Sequence, residues 1–173
     1  MSGERENWYA LFVSSGHEEK VKKVLEMTLG EAIEAIVPKR ELRERKEGKW
    51  TVVTRKLFPG YVLVKGNIDI EIYYKIKSIP MLANFLRDED GLLTIDEKEL
   101  LTLNIITNHK DGNLEISKAF KEKNKIRIID GPLAGLEGYI DSVDTRKGRA
   151  KVKIEFLNEI REIQLGIEFV DKI

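Results

Sequence analysis

The sequence predicts an α+β protein: a mixed part of strands and helices, then a small all-strand barrel. Three observations lead there. Trp8 to Ser14 and Tyr61 to Lys65 are aromatic and β-branched runs of strand length. Segments 17–29 and 68–79 carry apolar side chains at helical spacing. Beyond residue 124 short strand patterns follow one another with no helical period.

The elements follow in order. The first strand ends at Ser15-Gly16, and a helix from His17 to Leu29 places Val21, Val24, Leu25 and Leu29 on one face. Glu18 and Glu19 in its first turn complement the helix dipole, His17 is the expected cap, and Gly30 is its stop. Ala35 to Pro38 is a short strand. Arg40 to Lys46 and Trp50 to Thr54 flank Glu47-Gly48-Lys49, which suggests a charged β-hairpin. After the turn Phe58-Pro59-Gly60 comes the strand YVLVK, then a helix with Ile72, Tyr73, Ile76 and Ile79 on one face, broken by Pro80. Leu82 to Leu86 is a strand, and Asp96 to Thr107 a helix capped by Asp96 with Glu99 three residues on. Residues 109–122 are polar and aperiodic and are expected to be a mobile linker between domains at 1–108 and 123–173. Five strands then make the barrel: Lys125 to Asp130, Gly138 to Asp144, Arg149 to Phe156, Ile160 to Leu165 and Glu168 to Val170.

The totals narrow the function classes. Lys+Arg and Asp+Glu both number 30 in 173 residues, so only the distribution of charge can point to a partner. No cysteine is present, which excludes disulfides, thiol nucleophiles and cysteine metal sites. The polar N-terminus and the lack of a long apolar run lead to an expectation of a cytoplasmic chain without a membrane segment. His17 and His109 are the only histidines, and no H-E-x-x-H, P-loop or G-x-G-x-x-G occurs. The glycines at 131, 135 and 138 have the wrong spacing for a dinucleotide site. No catalytic residue, metal or cofactor is expected.

Charge is concentrated in two places. Residues 39–56 hold eight bases and three acids, with Arg40, Arg43, Arg45, Lys46 and Lys49 on the hairpin. Residues 145–153 hold five bases, Arg146, Lys147, Arg149, Lys151 and Lys153, and no acid. On a strand Arg149, Lys151 and Lys153 share one face, while Ala150, Val152 and Ile154 take the other. Such a row can track phosphates, or it can be a solvated face. The aromatic group Phe58, Pro59 and Tyr61, with Trp8 and Tyr9 on a neighbouring strand, is either core or a partner-binding patch.

Three stretches are similar to the NusG family: WYALFVSSGHEEKV, RKLFPGYVLVK and KIRIIDGPLAGLEGYIDSVD. They occur in that family's order and spacing over nearly the whole chain. The resemblance implies an N-terminal NGN domain with a four-stranded antiparallel sheet flanked by helices, and a C-terminal SH3-like KOW β-barrel. It implies a transcription elongation factor, expected as a monomer. That factor would dock on the β′ clamp helices of RNA polymerase through Trp8, Tyr9, Phe58, Pro59 and Tyr61. The hairpin would lie near upstream or non-template DNA. In housekeeping members an Ile-Phe-Gly-Arg segment contacts Rho or a ribosomal protein; here Phe156-Leu157-Asn158-Glu159 stands in its place. The shifted aromatic, the acid and the cation-rich run resemble specialised LoaP-like antitermination paralogs, and the implied partner is an RNA hairpin. The alternative is a housekeeping factor whose KOW barrel binds Rho or the ribosome.

Overall fold

The computed structural model describes residues 6–171 except 86, 89, 90, 93 and 96–98. Contacts group the chain into two compact units, Met1–Pro38 with Phe58–Leu100, and Lys39–Leu57 with Leu101–Ile173.

In the first unit β1 (Asn7–Val13), β2 (Ile33–Ile36), β5 (Tyr61–Gly66) and β6 (Leu82–Phe85) form an antiparallel sheet in the order β2-β5-β1-β6. Helices α1 (Glu18–Leu29) and α2 (Ile70–Lys77) cover one face. Period-two alternation sends Leu11, Val13, Val62 and Val64 toward Val21, Leu25 and Ile76 of the helices, and these side chains are the core. Asp69 caps α2, accepting a hydrogen bond from the Ile72 amide at 2.8 Å. The expected cap of α1 differs: the His17 side chain makes no capping bond, and the helix end is held by Glu18 instead. Strands β7 (Arg87–Asp88) and β8 (Gly91–Leu92) form a small hairpin. Leu86 and Asp96, expected at element ends, lie outside the described residues.

The second unit joins the charged hairpin to the barrel. Strands β3 (Lys39–Lys46) and β4 (Lys49–Lys56) pair throughout, closed by Glu47-Gly48 with positive φ at both residues. That is the two-residue turn whose twist matches a hairpin. Helix α3 (Leu100–Thr107) leads into this unit's second segment, which starts at Leu101; the start expected for it at Asp96 lies outside the described residues. Two strands stand in the stretch expected to be a linker: β9 (Asn113–Leu114) and β10 (Ser117–Glu122). β9 adds to β3 in parallel, and the Asn113 amide donates to the Glu41 carboxylate at 3.0 Å.

The barrel sheet runs β11-β10-β14-β13-β12 and curls into a half-barrel. Its other strands are β11 (Lys125–Asp130), β12 (Ile140–Asp144), β13 (Arg149–Phe156) and β14 (Glu159–Phe169). The two strands expected at 160–165 and 168–170 are one, because Gly166 continues the strand instead of breaking it. A Cβ built at Gly166 would lie 2.6 Å from the Glu41 carbonyl oxygen, so only glycine lets β14 and β3 approach this closely. Gly131, with φ of +102°, does the same over β10: its built Cβ would be 2.6 Å from Ser117, whose buried hydroxyl accepts from the Leu133 amide at 2.9 Å.

Candidate functional site

Two surfaces carry the residues singled out in the sequence. The first is on the sheet face of the first unit that looks away from α1 and α2. Cross-strand register places Trp8 beside Lys65, Ala10 beside Leu63, and Phe12 beside Tyr61 on this face, of which the middle pair, Ala10 and Leu63, is buried. The Phe12 and Tyr61 rings are 4.5 Å apart at 42°, and the Lys65 ammonium sits 6.0 Å from the Trp8 ring. Phe12 is 38% exposed. Sequence reasoning passed over it, although its two-residue spacing from Trp8 and Ala10 was the available signal.

The other aromatic positions behave differently. Tyr9 pairs with Val64 and so points to the helix-covered side. Phe58 is 4% exposed, and Pro59 is exposed. The turn that carries them is fastened by Glu18. This fully buried carboxylate accepts from the Gly60 amide at 2.9 Å and the Gly16 amide at 3.2 Å. Carboxylate bonds to backbone amides are charge-assisted and hold geometry firmly. The Gly16-His17-Glu18 stretch and the Phe58-Pro59-Gly60 turn are thus two halves of one local structure.

The second surface lies within the other unit, where the two basic segments of the sequence come together. Arg43, Arg45 and Trp50 share one hairpin face by register, whereas Arg40, Lys46 and Lys49 lie on the other. Lys46 and Lys49 are exposed at the tip. Arg40 is tucked in, donating to the Lys56 carbonyl at 2.6 Å. Burial lowers its pKa, and the nearby Arg149 and Arg55 add to that effect. Arg149 donates to Gln164 at 3.2 Å and lies 3.8 Å from Glu44. Its buried Nε has no hydrogen-bond partner among the described residues. Glu44 is committed mainly to Arg55, through bonds of 3.1 and 2.8 Å that hold its carboxyl below the ordinary value.

On β13 the alternation holds: Ala150, Val152 and Ile154 are buried, and Lys151 and Lys153 are exposed. Their ammonium groups lie 3.8 Å from Glu162 and from Asp141. The row is therefore flanked by acids on adjoining strands, which makes it less basic than its own sequence. Arg146 and Lys147 project from the turn between β12 and β13. Asp144 holds that turn, accepting from the Lys147 amide at its side chain and from the Gly148 amide at its carbonyl, both at 2.9 Å. A cleft of about 230 Å³ separates this turn from Arg43 and Trp50, and a second of about 290 Å³ adjoins it beside Arg45 and Arg149. Among the described residues no cluster of His, Cys, Asp or Glu could hold a metal ion, and no helix is long and apolar enough to cross a membrane.

A helix-backed antiparallel sheet and a β half-barrel, one carrying aromatic side chains and the other a gathering of cations, define a two-part α+β architecture. The comparisons with known proteins agree. Residues 6–104 match the family model described as transcription termination factor nusG. The chain is 31% identical to the transcription termination/antitermination protein NusG of Haemophilus influenzae, over 98% of this chain and 95% of that one. It is 28% identical to the Bacillus subtilis protein of the same name, over 96% and 98%. A solved structure described as "Domain interaction in Thermotoga maritima NusG" shares the fold at a TM-score of 0.59 and 23% identity, with 94% of each chain covered. The chain belongs to the NusG family of transcription termination/antitermination factors. Proteins of this family are transcription factors and not enzymes.

Proposed function

We propose that this NusG-type factor is a processive antiterminator that holds RNA polymerase with its N-terminal sheet and an RNA hairpin with its basic unit. The observation that carries the reading is the convergence of Arg43, Arg45, Arg146, Lys147 and Arg149 around adjoining clefts. Cations gathered on a firm turn and hairpin suit phosphates, whose contacts dominate nucleic-acid affinity. Because A-form RNA hides its major-groove edges, recognition of a stem rests on shape and backbone contacts.

In this reading residues 1–108 act as the polymerase-docking NGN domain and residues 123–173 as the KOW domain. Trp8, Phe12, Pro59 and Tyr61 meet the β′ clamp helices, with Phe58 and Glu18 fixing the turn from beneath. Lys46 and Lys49 at the hairpin tip are placed for upstream or non-template DNA. The LoaP-like assignment is supported by the segment that replaces Ile-Phe-Gly-Arg. Phe156 is fully buried, Leu157-Asn158 make a positive-φ turn, and Glu159 is exposed, so no aromatic is presented there.

The test is charge reversal at Arg146 and Lys147 in the full chain. RNA-hairpin binding is expected to be lost while co-elution with RNA polymerase persists. Unchanged RNA affinity would sink the assignment. The housekeeping reading has one observation in its favour: Ile160 is 78% exposed beside the β13–β14 turn, an apolar side chain that a protein partner such as Rho could cover. Binding of Rho to the full chain that Ile160→Glu abolishes would favour it.

A further inference from the structure

We propose that the cleft between the β3–β4 hairpin and the β12–β13 turn receives one unpaired RNA nucleotide, its base stacked on Trp50 and its phosphates held by Arg146 and Lys147. This rests on the RNA-binding reading above and adds to it a stacking site that reads single-stranded RNA.

Trp50 is the starting point. It stands on β4, paired with Arg45 of the cation-rich arm β3, and is 41% exposed. The Arg43 guanidinium lies over its ring, 5.7 Å from the centroid. An indole held beside an arginine and open to water is a platform on which a base can stack, because every base presents a π-face. The cleft beside it measures about 230 Å³, below the range of about 300–1,000 Å³ typical of drug-sized pockets. That space suits a single planar base. The part-buried Phe169, the β14 backbone at Ile167 and the exposed Glu168 also line it, and most of its lining is polar.

The phosphate side is equally defined. Asp144 fixes the turn through two amide bonds, so Arg146 and Lys147 are exposed on a firm backbone. Gly148 allows the turn to sit close to β14, since a built Cβ would lie 2.9 Å from the Ile167 carbonyl. Glu44, the other acid beside the clefts, is already bonded to Arg55. The balance at the site is therefore cationic. A base inside a duplex hides its faces, so the occupant must be unpaired, as in the loop or bulge of a hairpin.

The experiment uses the full chain and an RNA hairpin with a uridine loop containing one 2-aminopurine, alongside the same stem as a blunt duplex. Wild-type protein is expected to quench the loop fluorophore. Trp50→Ala should weaken hairpin binding about ten-fold, within the range for one stacked base, remove the quenching and leave duplex binding unchanged. Trp50→Phe, which keeps an aromatic face, should restore both. Quenching that persists in Trp50→Ala, or equal losses on hairpin and duplex, would overturn the cleft while leaving the RNA reading intact. Equal quenching of a deoxyribonucleotide loop would assign the cleft to single-stranded DNA and overturn the RNA assignment. Failure of the wild-type chain to bind any of a panel of such hairpins with varied stems, or their blunt duplexes, would remove the RNA reading and the cleft together.

Discussion

At the residue scale, one carboxylate explains why two separated sequence motifs belong together. Glu18 is buried and accepts amide bonds from Gly16 and Gly60, tying the start of α1 to the turn before β5. Its removal leaves the buried Gly60 amide without that acceptor, while the exposed Gly16 amide can turn to water. An unsatisfied buried group costs about 1–3 kcal/mol. Glu18→Ala should lower stability by about 2 kcal/mol, and Glu18→Gln, which keeps an acceptor oxygen, by less. Thermal melts of the two variants check this; a melting temperature equal to wild type in Glu18→Ala would contradict the role. Phe12 makes the complementary point. Half-exposed against Tyr61, it contributes little to the core, so Phe12→Glu should leave the fold intact and weaken polymerase capture. A pull-down with RNA polymerase measures that loss.

At the element scale, the hairpin owes its shape to the Glu47-Gly48 turn and to cross-strand pairs such as Glu44 with Arg55. The Arg55 bond lowers the Glu44 pKa in the folded chain relative to its ordinary value. A depressed carboxyl stabilises the fold above its unfolded pKa, and that contribution is lost as pH falls through the lower folded value. In Arg55→Ala the Glu44 carboxyl should therefore titrate at a higher pH than in wild type, as followed by NMR. A curve unchanged by the substitution would contradict the pairing. Gly166 governs the meeting of β14 with β3. Gly166→Ala must displace backbone at the Glu41 carbonyl and should cost about 1–3 kcal/mol, read from denaturant unfolding.

Elements with strong periodicity were legible in the sequence, and those without it were not. β13 was readable because bulky Val152 and Ile154 alternate with cations, and both hairpin arms because a turn signal stood between them. β10 was hidden because its inward residues are Ser117 and Ala119, too small and too weakly apolar to announce a strand. The break expected at Gly166 reflects the same limit: a glycine marks either a turn or a close backbone approach, and only the neighbouring strand decides. The cations were legible by count but not by company. Asp141 and Glu162, which flank Lys153 and Lys151, are distant in sequence and adjacent only through the sheet. Likewise Trp50 and Lys147 are far apart in the chain and line the same clefts.

At the scale of the whole molecule, family membership and fold are shown, and the proposed function adds to them a division of labour between an aromatic sheet face and a cationic unit. The division predicts separable losses: substitutions at Phe12 or Tyr61 affect polymerase, and substitutions around the clefts affect RNA. The measurement that tests this most directly is a salt titration of binding to a panel of RNA hairpins, with wild type beside Arg146→Ala/Lys147→Ala. Tight binding to one hairpin that survives ~150 mM salt is expected, with the double variant weaker and its salt slope reduced by about 1.4, near 0.7 per cation lost from single-strand phosphates. Uniform binding that vanishes with salt, or a slope unchanged by the double substitution, would contradict it.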